Sequence, residues 1–219
     1  MSSPESSATD VVDSLRLLQL IAYLQSDLYT RALAAVGFIP AADTEVFSTL
    51  NQQETSHVAT LGSLIVARQG TAVLRPTFDF TGKGAVPGFA FGVGQYETFR
   101  MLAQAFEDLG VRAYKGTVQT LQSDKPALTA VLALHSVEGR HAGEVRRIRG
   151  KRGWITGSSA DDLPAFAQAI YAGEEITTQG TVNVATAIAA TGGADAASQA
   201  FDEPLSTAQV TTIITPFIA

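Results

Sequence analysis

The chain has no cysteine. That single absence excludes disulfides, zinc–thiolate sites and iron–sulfur clusters, and it leaves the redox compartment open. Charge is also sparse, at 16% of residues, and the balance is acidic, with 15 basic against 21 acidic side chains and a net charge of -6. An acidic chain of this kind is not built for general nucleic-acid binding, so no nucleic-acid partner is expected. No uncharged apolar run reaches the about eighteen residues of a membrane span. The opening MSSPESS lacks both a basic region and an apolar run, so it does not read as a signal peptide. A cytoplasmic location is expected as written, and an exported or periplasmic one if a signal was removed.

What is present is helical periodicity. Apolar residues recur at three and four from Asp10 to Val36, and Gly37 with Pro40 ends that run. A second helix is predicted over residues 43–69, stopped by Gly70; a third over 95–121; and a fourth, begun by Asp124 and Pro126, to Arg149. Gly110 and Gly116 read as weak points in the third. Between helices two and three, residues 71–94 are rich in Gly, Phe and Thr and show no helical period. The links at 37–42 and 122–125 are short enough to force antiparallel hairpins. The middle link is different. A helix of 26 residues is about 39 Å long, and 24 extended residues reach about 80 Å, so this loop can run the whole bundle and set helix three parallel to helix two. The expected fold is therefore all-α: a four-helix bundle over residues 10–150 with one long crossover. Residues 1–9 read as a disordered lead-in. Residues 151–219 read as a C-terminal extension packed on the bundle, with a helical turn at 162–171 and a last helix at 206–217 capped by Ser206.

Of three histidines, two follow a glutamate by three positions, at Glu54/His57 and Glu138/His141. Three residues advance about 300° around a helix, so each pair projects from one side, one turn apart. Such a pair on each of two helices, with single carboxylates from the other two, builds a two-metal carboxylate site inside a bundle. Hard oxygen donors with one imidazole per ion suit Fe or Mn. Glu107 is the candidate from helix three. Helix one presents Ala22, Gln25 and Tyr29 on its inner row, while Asp27 points about 160–200° away. Gln25 offers an oxygen but no charge. Three carboxylates against two divalent ions imply one ion held firmly and a second position that is weak or lost. Tyr29, Gln25 and Tyr114 are candidates to surround the ligands. His135 points elsewhere, and the cluster of Arg146, Arg147, Arg149, Lys151 and Arg152 reads as a complement to a helix dipole.

Several stretches resemble the bacterial ferritin-like proteins related to plant desiccation-related proteins. They are IAYLQSDLY at Ile21–Tyr29, FDF at Phe78–Phe80, AFEDLGVRAYKG at Ala105–Gly116, HSVEGRHA at His135–Ala142 and FDEPL at Phe201–Leu205. The resemblance implies a ferritin-like bundle with Fe or Mn ligands matching Glu54, His57, Glu107, Glu138 and His141. The leading expectation is a metal-binding oxidoreductase-type protein that handles iron in a ferroxidase-like way, or consumes O₂ or peroxide, under stress, and a homo-oligomer is expected. Two departures stand out: the family has glutamates where this chain has Ala22 and Gln25, and alanine where it has Gly139. The rival expectation is a metal-free bundle serving as a structural or assembly subunit.

Overall fold

The computed structural model describes residues 7–219. Four long helices dominate: α1 (Ala8–Ala34), α2 (Ala41–Val66), α3 (Tyr96–Thr117) and α4 (Lys125–Ile148). Residues 1–6 of the expected lead-in lie outside the described part; Ser7 caps α1, its side chain accepting from the Asp10 N–H while Asp10 accepts from Ser7 in return. That reciprocal box satisfies two of the amide groups a helix start leaves unpaired. α1 ends at Ala34 with Ala35 extended, and Gly37 takes the left-handed conformation, at φ +70°, in the turn that follows, where the Phe38 N–H donates to the Ala35 carbonyl. Asp124 caps α4 through the Ala127 N–H, with Pro126 in the first turn as the sequence predicts.

Contacts between helices fix their directions. Moving up α1 from Gln25 to Tyr29, the partner on α3 moves down from Phe106 to Phe99, so these two helices are antiparallel. α1 and α2 are joined by a short turn and pack along their length. α2 therefore runs parallel to α3, and the chain between them must cross the full bundle. The crossover is tied down by the C-terminus: Asp79 N–H donates to the Phe217 carbonyl at 2.8 Å, and Ala219 N–H to Thr77 at 3.0 Å. An aromatic network joins the crossover to the core, with Phe80 against Phe106 and Phe91, and Phe106 edge-on to Phe217. Such pairs add about 0.5–1.5 kcal/mol each beyond the area they bury.

The bundle is all-α and ferritin-like in connectivity, with further short helices after it: α5 (Gln168–Tyr171), α6 (Val184–Ala187), α7 (Gly193–Ser198) and α8 (Thr207–Ile214). A two-residue ribbon, β1 (Thr178–Gln179) with β2 (Val182–Asn183), interrupts them. Ser206 caps α8 as expected. α3 ends at Thr117 and not at Leu121, which lies in a 3₁₀ turn (Thr120–Ser123) leading to α4.

From Leu102 to Tyr114, α3 is buried on all sides. Its face away from the bundle carries Asp108 and Arg112, one turn apart, and both are 1% exposed. Asp108 accepts from Arg146 at 3.0 and 2.6 Å and from the Tyr171 hydroxyl. Arg112 pairs with Glu174 at 2.7 Å and donates to the carbonyls of Ile170, Ala172 and Glu203. The extension thus lies on a charged helix face and satisfies it, through Glu174, the Tyr171 hydroxyl and backbone carbonyls, together with Arg146 of α4. Among the described residues, no helix is long and apolar enough to cross a membrane.

Candidate metal centre

The helical period that defines the core also aims six polar side chains inward at mid-bundle. Gln25 comes from α1, Glu54 and His57 from α2, Glu107 from α3, Glu138 and His141 from α4, and none is more than 4% exposed. Glu54, Glu107, Glu138 and His141 each bring one donor atom within 4.8 Å of the others. His57 joins them, with Nδ1 3.0 Å from Glu138 Oε1 and 3.3 Å from Glu54 Oε2. The two imidazoles lie face to face, with centroids 5.7 Å apart. The structure therefore brings all five expected ligand candidates together.

The alignment of these atoms matters more than their proximity. His141 Nδ1 is 2.8 Å from Glu54 Oε1 and 3.5 Å from Glu107 Oε2. Yet neither imidazole Nδ1, neither oxygen of Glu54, nor Glu138 Oε1 makes an aligned hydrogen bond. These atoms are thus gathered within a few ångströms of one another and left unpaired. Buried polar atoms normally have partners, and leaving several unpaired in one place is costly. A cation that accepts lone pairs from all of them resolves the conflict. Gly110 supports the same fit: a Cβ there would lie 2.3 Å from Glu138 Oε2 and 2.9 Å from Gln25 Nε2. The expected weak point in α3 is where the backbone must stand clear of the cluster. Three carboxylates and two imidazoles suit a hard or borderline ion such as Fe or Mn.

The electrostatics follow from packing acids in a dry core. Burial, with Glu54 and Glu107 nearby, pushes the Glu138 carboxyl up to about 7. Burial also raises Glu107. Burial opposes charge on Glu54 as well, but His141 and His57 outweigh it and hold that carboxyl below its ordinary value. For the imidazoles burial works against protonation, and the facing carboxylates overcome it, lifting His57 to about 9 and His141 to about 10. The cluster thus demands positive charge, and protons and a metal ion compete for the same atoms.

The surrounding residues orient this set. Tyr29 donates its hydroxyl to Glu107 Oε1. Gln25 Nε2 donates to Glu107 Oε2 and Glu138 Oε2, each at 3.1 Å, and to the Phe106 carbonyl at 3.2 Å. Tyr114 is fully buried and its hydroxyl has no partner. Ala22 is buried and carries no donor. Asp27 faces away, as expected, and pairs with Arg75 and Arg31. His135 is far from the cluster in role: it lines a surface groove with Lys115, Leu132 and Asp202. The basic residues at the end of α4 and just after it have acidic partners: Arg146 the buried Asp108, Arg147 the surface Glu144, and Arg149 and Lys151 Asp162.

One residue escaped the sequence reading. Gln53 sits on the exposed side of α2, yet its Oε1 meets His141 Nε2 at 2.7 Å. Its only sequence signal is position, next to Glu54.

A long-crossover bundle carrying a buried Glu/Glu/Glu/His cluster able to coordinate a metal defines the class of protein. The ferritin-like domain family matches residues 10–151, and the chain belongs to that family. No curated protein matches the chain.

Proposed function

We propose that the chain is an Fe- or Mn-binding carboxylate protein acting in stress protection, by oxidising iron or consuming O₂ or peroxide. The observation that carries this reading is that His57 Nδ1, His141 Nδ1, both Glu54 oxygens and Glu138 Oε1 are buried close together without aligned hydrogen bonds. Glu54, Glu107, Glu138, His57 and His141 would hold the metal. When bound, it would supply one-electron redox chemistry in a buried site. The chain's own residues do the rest: Tyr29 and Gln25 orient two carboxylates, and the aromatic layer of Phe47 and Phe99 against Tyr29 keeps water from one side. The stress role rests on the resemblance of stretches such as His135–Ala142 to desiccation-related proteins, and the chain is proposed to act as a homo-oligomer.

A second reading, a metal-free structural or assembly subunit, is favoured by one observation. Gln25 and Tyr29 already satisfy both oxygens of Glu107 and one of Glu138 without a cation. Elemental analysis after reloading apo-protein with Fe(II) or Mn(II) decides between them. Near-stoichiometric metal supports the first reading; less than about 0.2 equivalents overturns it.

A further inference from the structure

The cluster has two halves that share Glu54. In one half His141 Nδ1 faces Glu54 Oε1 and Glu107 Oε2. In the other His57 Nδ1 faces Glu138 Oε1 and Glu54 Oε2. The halves differ in what the outer helices contribute. α3 brings a carboxylate, Glu107; α1 brings an amide, Gln25, and that amide is turned donor-side in.

Its orientation is determined by Phe106. Gln25 Nε2 lies 3.2 Å from that backbone carbonyl, which can only accept, and 3.1 Å from one oxygen each of Glu107 and Glu138. Turning the amide over would set its oxygen against three acceptors in a dry core, which is prohibitive. The NH₂ group therefore supplies partial positive charge to two of the three carboxylates, the service a second cation would perform. The remaining atom, Gln25 Oε1, is buried without a partner and brings no charge.

Resting on the metal-binding reading above, and taking His57 out of its ligand set, we infer that the chain holds a single ion on the His141 side, with the Gln25 amide standing where a fourth carboxylate would be needed to hold a second. The ligand atoms of that ion come from Glu54, Glu107, Glu138 and His141, the set whose donor atoms already lie within 4.8 Å of one another. His57 then acts as a buried partner of Glu138 and Glu54, not as a ligand. One divalent ion also leaves three carboxylates, one amide dipole and one imidazole in near balance. Two would leave net positive charge in the core with no anion to offset it.

Titration of full-length apo-protein with Mn(II), followed by calorimetry and electron paramagnetic resonance, tests this. Wild type should take up one equivalent with the hyperfine pattern of an isolated Mn(II). His141→Ala should abolish measurable binding, while His57→Ala, which removes only a partner of two ligands, should weaken it by about 10–100-fold. Gln25→Glu should add a second equivalent and give the spectrum of a coupled pair. Two tight equivalents in wild type, equal losses in the two histidine variants, or one equivalent in folded Gln25→Glu each overturn the inference while leaving the metal-binding reading intact. No binding in wild type overturns both. Should Gln25→Glu not fold, hydrogen exchange of the Gln25 side-chain amide in Zn(II)-loaded wild type decides: protected NH₂ protons support the assignment, and exchange at the solvent rate overturns it.

Discussion

His141 and Gln53 are joined across the α2–α4 interface, Nε2 to Oε1 at 2.7 Å. Because the amide oxygen accepts, Nε2 carries the proton, and Nδ1 is left to face Glu54 and Glu107. A histidine ligand is generally fixed by what its other nitrogen donates to, and removing that partner costs about 10–100-fold in metal affinity. Gln53→Ala should therefore weaken Mn(II) or Co(II) binding by that factor with little change in the stability of apo-protein, since Gln53 itself is solvent-exposed. Gln53→Glu keeps the acceptor and should bind like wild type. Unchanged affinity in the alanine variant would mean that His141 is oriented by packing alone.

Two glycines in helices should respond to alanine in opposite ways. Gly139 is exposed, and an added Cβ would meet nothing within 4 Å. Gly139→Ala should gain about 1 kcal/mol from helix propensity. In a chain of this size that is about 2–4 °C in Tm. Gly110→Ala has the same propensity gain available, but its Cβ would press on Glu138 Oε2 at 2.3 Å within a fully buried cluster. It should lower both Tm and metal affinity. Thermal melts with and without Mn(II) separate the two, and a stabilised, metal-competent Gly110→Ala would show that the cluster has slack the structure does not display.

Adjacent arginines on α4 should differ as sharply. Arg146 is 7% exposed and holds the buried carboxylate of Asp108. Arg146→Ala strands that charge and should cost about 3–5 kcal/mol. The Arg147 side chain is 66% exposed, and its partner Glu144 is near the surface. Arg147→Ala should cost less than about 1 kcal/mol. Urea denaturation at pH 7 reads both. Similar losses would mean that Asp108 is satisfied by the Tyr171 hydroxyl without its cation.

These arginines mark where the sequence stops being informative. The four helices, their hairpins and the long crossover follow from apolar period and link length. The glutamate–histidine pairs follow from helical spacing, because both members of each pair must share a face. Glu107 and Gln25 were legible once an inward row was drawn on α3 and α1. Asp108 and Arg112 were not. Periodicity treats a charged residue as solvent-facing, whereas here the extension covers that face, pairing Arg112 with its own Glu174, while Arg146 of α4 pairs with Asp108. Gly110 and Gly116 look like propensity defects in a one-dimensional reading. In the fold each marks a close approach, Gly116 because a Cβ there would lie 2.0 Å from the Leu205 carbonyl oxygen. Gln53 was invisible for the converse reason: its backbone sits on the outer face, and only the side chain reaches around to α4.

The last prediction concerns pH. Asp124 caps α4 and also accepts from Arg68 at the end of α2, through Nε and Nη2 at 2.6 Å each. The Arg68 guanidinium, with the Ala127 N–H, holds this carboxyl below its ordinary value of 3.8 despite some burial. A carboxyl with a depressed folded value stabilises the fold when ionised, so its contribution is complete above 3.8 and disappears as pH falls through the lower folded value. Cap and ion pair together are worth about 1–2 kcal/mol. Asp124→Ala should then lower Tm by about 3–6 °C at neutral pH, and the gap to wild type should narrow steadily below about pH 4. Asp124→Asn retains a cap acceptor and loses only the charge, so its deficit should be smaller at neutral pH and vanish over the same acid range. Melting curves of the three proteins from neutral pH to about pH 3 provide the comparison. A deficit for Asp124→Ala that stays constant across that range would show that Asp124 works through its cap alone and that the bond to Arg68, which ties the end of the first hairpin to the start of α4, contributes nothing to stability.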